Sequence, residues 1–99
     1  MLGTMLTAVK KRCGIAEGIT VYDEEIAAYL DDCEQDLKAS GVTEAVLQAE
    51  EHRNQILTAV TLYVKAYLGN DRTDTEKYMD LYRKKVFRLA LEGDDGLVG

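Results

Sequence analysis

The sequence predicts an all-α protein, a small bundle of about four helices with a central apolar helix and a flexible C-terminal tail. Apolar residues recur at three- and four-residue steps along most of the chain, as they do on the buried face of a helix. The 99 residues include no Pro, and the eight Gly fall near the ends of the periodic segments, which is typical of helices joined by short turns. We expect one helical domain over residues 1–91 and a flexible acidic, glycine-containing tail over residues 92–99.

The most apolar stretch, residues 56–69, predicts the central helix. Lys65 is its only charged residue, so the helix must be covered from several sides, yet it is too short and too polar to cross a bilayer. We expect Asn54 to cap its first amides and Gly69 with Asn70 to end it. Its apolar positions, all expected to face the core, are Ile56, Leu57, Val60, Val64, Tyr67 and Leu68.

Two helices are expected before the central one. The first should end at Gly14, and its apolar positions are Leu2, Met5, Leu6, Val9 and Cys13. In the connection that follows, Ile19 and Val21 are expected to lie extended against the core. Asp23 should cap the second helix, and Gly41 should end it. The apolar stripe of this helix is Ile26, Leu30, Cys33 and Leu37.

The segment over residues 42–53 leaves three alternatives open: a short helix, a mobile loop, or an extension of the central helix. Its helix-forming residues follow Thr43, a possible cap, and favour a partly helical connection. The last helix should then begin at a cap formed by Asp74 or Thr73. Its apolar positions are Tyr78, Leu81, Tyr82, Val86, Leu89 and Ala90.

Few residues could carry catalysis. The single His, His52, has no partner at metal-ligand spacing and is more simply a surface residue. Cys13 and Cys33 fall on apolar stripes, where a free Cys behaves as a small buried hydrophobe rather than as a nucleophile. The chain also lacks a phosphate-binding glycine motif. We therefore predict no enzyme activity, no catalytic residues, no metal and no cofactor.

Charge is distributed unevenly along the chain, whose net charge is −6. The second helix is acidic and the last helix is basic. An acidic chain argues against binding to duplex DNA, because phosphate contacts need clustered cations. The basic run could still form a strip that binds nucleic acid, although a solvated helix face is the simpler interpretation. The six Tyr are compatible both with core packing and with protein contacts.

The order of the segments carries a family resemblance. An N-terminal helix ending VKKRCGI is followed by YDEEIAAYLDDCEQDLKASGV, then by ILTAVTLYVKAYLGND and EKYMDLYRKKVFRLALEG. Over about residues 5–91, this arrangement resembles the small head–tail connector proteins of tailed bacteriophages, also called head-completion or adaptor proteins. Many members have a Pro where this chain has Asn54 and Gln55.

The resemblance implies an all-helical subunit that forms a homo-oligomeric ring beneath the phage portal protein. Such a ring extends the DNA channel without binding DNA specifically and docks the next head-completion or tail protein. The resemblance also implies synthesis in the bacterial cytoplasm, a place at the head–tail junction of the virion, and no membrane partner. By position alone, it suggests that the C-terminal segment docks on the portal through Glu92, Asp94, Asp95, Leu97 and Val98.

Opposite charges on two helices suggest how subunits would meet, since a head-to-tail contact requires two different surfaces on each subunit. We expect an acidic set on the second helix to face a basic set on the last helix of the neighbour, with Tyr78 or Tyr82 supplying buried area. The acidic set is Asp31, Asp32, Glu34 and Asp36, and the basic set is Lys77, Arg83, Lys84, Lys85 and Arg88. The alternative is a small helical adaptor or regulatory module that binds one protein partner without ring assembly.

Overall fold

A computed structural model describes residues 2–68 and 72–98, apart from the side chains of residues 72, 73 and 93–98. Within these ranges the chain forms five α-helices and two short 3-10 helices, and no strand. The α-helices are α1 (Leu6–Arg12), α2 (Asp23–Ala39), α3 (Glu44–Gln48), α4 (Arg53–Leu68) and α5 (Arg72–Val98). The 3-10 helices are Leu2–Met5 and Glu50–His52. The predicted all-α fold is therefore confirmed.

Helix α4 lies at the centre of the bundle, as its composition predicts. It packs against α1, α2, α3 and α5, and its most extensive packing is with α5. Val60 and Val64 are fully buried. The Thr61 hydroxyl donates a hydrogen bond to the Leu57 carbonyl at 2.7 Å, which satisfies a buried polar group within the helix. The prediction that Tyr67 faces the core is wrong, because 46% of this residue is exposed at the edge of α4.

Helix α2 covers one side of α4 with the predicted apolar stripe. Its four members, Ile26, Leu30, Cys33 and Leu37, are all fully buried. The helix ends where predicted because Gly41 adopts a φ of +98°, in the left-handed region that favours glycine. The Val42 N–H then donates to the Leu37 carbonyl at 2.9 Å, and the Gly41 N–H donates to the Lys38 carbonyl at 3.1 Å. This pair of bonds is the Schellman ending of a helix.

The predicted N-terminal caps of α2 and α4 are wrong. Asp23 is the first residue of α2, and its carboxylate pairs with the Lys10 ammonium at 2.8 Å rather than capping the helix. Helix α4 begins at Arg53, directly after a 3-10 helix, so Asn54 lies inside its first turn. The preceding helical turn continues into α4 and leaves no position for a separate cap. The predicted end at residues 69–70 lies outside the described residues.

The first turn of α5 also differs from the prediction. The helix begins at Arg72, so both candidate caps, Thr73 and Asp74, lie inside it. An Asp in this position still interacts favourably with the positive end of the helix dipole. The Thr75 hydroxyl donates to the Ala66 carbonyl at 2.8 Å and ties this turn to the end of α4.

The connection between α2 and α4 is partly helical, as predicted. Thr43 caps α3, because its hydroxyl accepts a hydrogen bond from the Val46 N–H at 3.3 Å. Val46 and Leu47 are buried, so this short helix adds to the cover of α4.

The loop between α1 and α2 is exposed where the sequence predicted burial. Ile19 is 48% exposed and Val21 is 77% exposed, so the expectation that they pack on the core is wrong. The reason is that polar atoms anchor this loop. Lys10 is almost completely buried, and its ammonium contacts Asp23 and donates to the Glu17 carbonyl at 3.2 Å. Held in this way at both ends, the loop turns its apolar side chains outward.

Helix α5 contributes Tyr82, Val86 and Leu89 to the core, as predicted, whereas Leu81 is exposed. The helix continues to Val98, beyond the boundary where the sequence predicts a tail. The backbone of most of that segment is therefore helical, and its flexibility stays a prediction.

Shortening Val60 or Val64 to Ala should lower the free energy of unfolding by about 1–3 kcal/mol, because each change removes buried methyl groups and leaves a cavity. Urea unfolding followed by circular dichroism measures the loss. Val21→Ala is the matched control, since the same atoms are removed from an exposed side chain. Equal resistance to urea in all three variants would contradict the assignment of the core.

Candidate functional site

Only part of the acidic set on α2 is free to meet another protein. Asp31 and Asp32 are exposed. Glu34 is turned toward the N-terminal segment, where its Oε1 accepts the Leu2 N–H at 2.9 Å and its Oε2 pairs with Lys38 at 3.4 Å. The hydrogen bond from Leu2 holds the pKa of the Glu34 carboxyl below its usual range. Glu34 thus stabilises the fold and is a poor candidate for a subunit contact.

Asp36 is engaged in a second internal contact. The Tyr82 hydroxyl donates to Asp36 Oδ2 at 2.6 Å, and the Cys33 thiol donates to the Tyr82 oxygen across 3.6 Å. Burial raises the pKa of Tyr82 far above its usual range and that of Cys33 to about 12, so both groups stay protonated at neutral pH. Tyr82 is 1% exposed, so the prediction that it supplies area to a subunit contact is wrong for the subunit as folded.

The basic set on α5 is more accessible. Lys77, Lys84 and Arg88 are exposed and recur at seven- and four-residue steps, which places them along one side of the helix. Lys84 forms an exposed ion pair with Asp80 at 3.4 Å. Lys85 is half-buried. Arg83, also exposed, lies toward the neighbouring helix α2 and lines a groove there.

An open groove of about 540 Å³ runs between α2, α4 and α5, and we call it the α2–α4–α5 groove. Its lining residues are Asp36, Ser40, Tyr63, Tyr67, Met79, Tyr82, Arg83, Val86, Phe87 and Ala90. Phe87 is 66% exposed at this groove. One member of the acidic set, Asp36, and one of the basic set, Arg83, line the same groove in one subunit.

Aromatic rings stiffen one wall of this groove. The Tyr63 ring centroid lies 4.7 Å from that of Tyr67 and 5.2 Å from that of Tyr82. Tyr67 also stacks on Tyr29 at 5.7 Å. The predicted contact residue Tyr78 lies elsewhere on α5, half-buried, with the Lys65 ammonium 5.8 Å from its ring centroid.

Sequence reasoning missed Phe87, the single Phe of the chain. Phe87 lies outside the buried face of α5 that Tyr82, Val86 and Leu89 share. A signal was available: an apolar side chain beside an otherwise charged face indicates a contact surface.

The predicted portal-docking residues are described only in part. Glu92 is half-buried and lines a small depression with Gln55, Lys85, Arg88 and Leu89. The side chains of Asp94, Asp95, Leu97 and Val98 lie outside the described residues.

Groups that could carry other chemistry are engaged in packing. His52 is half-buried, with its Nε2 4.0 Å from Glu51 Oε1. In residues 2–68 and 72–98, no three His, Cys, Asp or Glu side chains come together as metal ligands would. No helix in the described part of the chain has the length and apolar character needed to span a membrane.

These features define a small all-helical protein with charged and apolar side chains exposed on its surface. A protein-family model described as Phage connector protein matches residues 5–96. The chain belongs to this phage connector family, which confirms the resemblance seen in the sequence. No curated protein and no solved structure matches the chain. Membership indicates a structural connector role in a phage, through contacts with other head or tail proteins.

Replacing Tyr82 by Phe should lower the free energy of unfolding by about 1–2 kcal/mol, because the change removes a hydrogen bond to a charged carboxylate and an acceptor for a buried thiol. Thermal or urea unfolding measures the effect. Tyr22→Phe is the matched control, since Tyr22 is exposed. A Tyr82→Phe variant as stable as the control would mean that the bond to Asp36 contributes nothing to the fold.

Proposed function

We propose that this protein is a ring-forming head–tail connector subunit of a tailed phage. In this proposal the ring lies beneath the portal, extends the channel through which DNA passes, and docks the next head-completion or tail protein. The observation that carries the proposal is the family match, which covers residues 5–96 of the 99-residue chain.

Exposed apolar side chains in two separate parts of the fold support an assembling subunit. One group lies in the loop between α1 and α2, and the other lies along the exposed part of α5. A ring contact joins two different surfaces of neighbouring subunits. A subunit with two separate apolar areas has the two surfaces that such a contact requires. The exposed members of the charged sets, including Asp31, Asp32, Lys84 and Arg88, would set orientation at the rim of such contacts.

The length of α5 supports a portal contact at its end. Its 27 residues span about 40 Å, and the longest dimension of the subunit is 46 Å. A helix that runs nearly the whole length of the molecule can present residues 92–99 at one extremity. We propose this segment as the portal-docking element.

Mass measurement of the chain, alone and with its portal protein, tests the ring. We expect a monomer or a weak oligomer alone, because rim charges contribute little affinity, and a discrete ring when the portal raises the local concentration of subunits. A chain shortened to residues 1–91 should lose only the helical residues 92–98 at the end of α5, keep the rest of the fold, and lose portal binding. A complex with one copy per partner would instead favour a single-partner adaptor.

The acidic balance of the chain predicts weak DNA binding. A net charge of −6 gives little attraction for phosphate, as suits a channel through which DNA must slide. In a fluorescence anisotropy titration at low salt, we expect the Kd for duplex DNA to be above about 1 µM. Tighter binding that weakens steeply with added salt would support a nucleic-acid-binding role through the basic set. Arg88→Glu would then be the variant that abolishes it.

A further inference from the structure

The loop between α1 and α2 presents an apolar protrusion that the fold itself does not use. Ile19, Val21 and Tyr22 are all exposed, and we call these three residues the apolar knob. They lie within four consecutive residues of the loop. Exposed apolar clusters of this kind mark protein contacts.

The knob is held in one conformation by the residues around it. The Lys10 ammonium fixes the loop on both sides, through the Glu17 carbonyl and the Asp23 carboxylate. Each anchor belongs to a tight turn. The Ile19 N–H donates to the Ala16 carbonyl at 3.0 Å, and the Asp23 N–H donates to the Thr20 carbonyl at 3.1 Å. A preordered loop loses little entropy on binding, which favours its use as a contact element.

The α2–α4–α5 groove is the complementary apolar surface of the subunit. Its volume of about 540 Å³ lies in the range of about 300–1,000 Å³ over which protein pockets enclose a ligand, so it can receive several side chains. Phe87 and Tyr67 are exposed there, with Met79 and Val86 below them. The groove and the knob belong to different elements, as a head-to-tail contact requires.

Charge indicates that the two surfaces fit each other. Residues 14–25, around the knob, contain four acids and no Lys or Arg, and Glu17 and Glu24 are exposed. Residues 77–88 of α5, the helix that forms one side of the groove, contain five Lys or Arg and one acid. Of these cations Arg83 lines the groove, and Asp36 of α2 lines it too. Such complementarity steers encounter and suppresses wrong partners.

We propose that the apolar knob of one subunit inserts into the α2–α4–α5 groove of a second copy, with Val21 against Phe87 and the acidic flanks of the knob against Arg83 and its neighbours. This contact rests on the proposed ring and names the surfaces that close it. It replaces Tyr82 and the acidic set of α2 as the centre of the interface.

Disulfide trapping tests the contact directly. We expect the double variant Val21→Cys/Phe87→Cys to form a ladder of covalent oligomers under mild oxidation, both on the portal and in the free chain at high concentration. Two controls detect disulfides that form without the proposed contact between Val21 and Phe87. The single variants report coupling through Cys13 or Cys33, and Ala27→Cys/Phe87→Cys places the first thiol on an exposed position of α2 that is not part of the knob.

A second measurement uses substitutions at exposed positions that leave the core intact. Val21→Ser or Phe87→Ser should reduce ring formation on the portal at least tenfold, as judged by the concentration needed for half-assembly. Leu81→Ser, which changes an exposed Leu on α5 outside the groove, should leave assembly unchanged. Circular dichroism should show the same helix content in all three.

The possible results test the contact between knob and groove separately from the proposal that the subunits form a ring. Rings that form normally with Val21→Ser and Phe87→Ser, and that give no ladder with the double cysteine variant, would overturn the contact and leave the ring proposal standing. A covalent bond between Val21→Cys and the portal would overturn it as well, because the knob would then serve a different partner. If the wild-type chain forms no ring on the portal while the double cysteine variant still gives the ladder, the contact is supported and the portal-templated ring is refuted.

Discussion

The need to cover helix α4 determines the arrangement of the whole subunit. Its only charged residue between positions 56 and 68 is Lys65, and its buried residues lie on most of its circumference. Such a helix is stable only when apolar surface meets it on several sides. Helices α1, α2, α3 and α5 supply that surface, and each uses one face to do so. Their other faces are left to solvent and to partner proteins.

The separation between helix faces that cover α4 and faces that do not also explains the positions of the internal polar contacts. Acids whose positions bring them near the core, such as Glu34 and Asp36, are satisfied by Leu2, Lys38 and Tyr82. The buried Leu2 N–H and Tyr82 hydroxyl would be costly without acceptors, so the carboxylates of Glu34 and Asp36 contribute to folding. Glu17, Glu24, Asp31 and Asp32 are exposed, and these are the acids that the proposed contacts between subunits would use.

Periodicity predicted the core well because burial follows helix geometry. The stripe of α2, the interior positions of α4 and the buried face of α5 all followed from three- and four-residue spacing. The Thr43 cap was predicted correctly, but the caps of α2, α4 and α5 were not, because a capping residue competes with tertiary partners. Asp23 pairs with Lys10, and Asn54 follows a 3-10 turn already in place. The groove could not be read from periodicity, since it depends on how three helices lie together in space.

The buried Lys10 is a second feature that periodicity does not predict. Its ion pair with Asp23 contributes geometry to the loop between α1 and α2. Removing an ammonium from water costs several kcal/mol, and a buried ion pair often stabilises a fold no better than apolar residues of similar size would. An ion pair that also fixes two points of a loop contributes in another way, because it specifies the conformation of that loop. Lys10 contacts Asp23 and the Glu17 carbonyl, so it fixes the loop that carries Ile19, Val21 and Tyr22 on the surface. An apolar residue in its place could fill the same volume, but it would leave the direction of that loop unspecified.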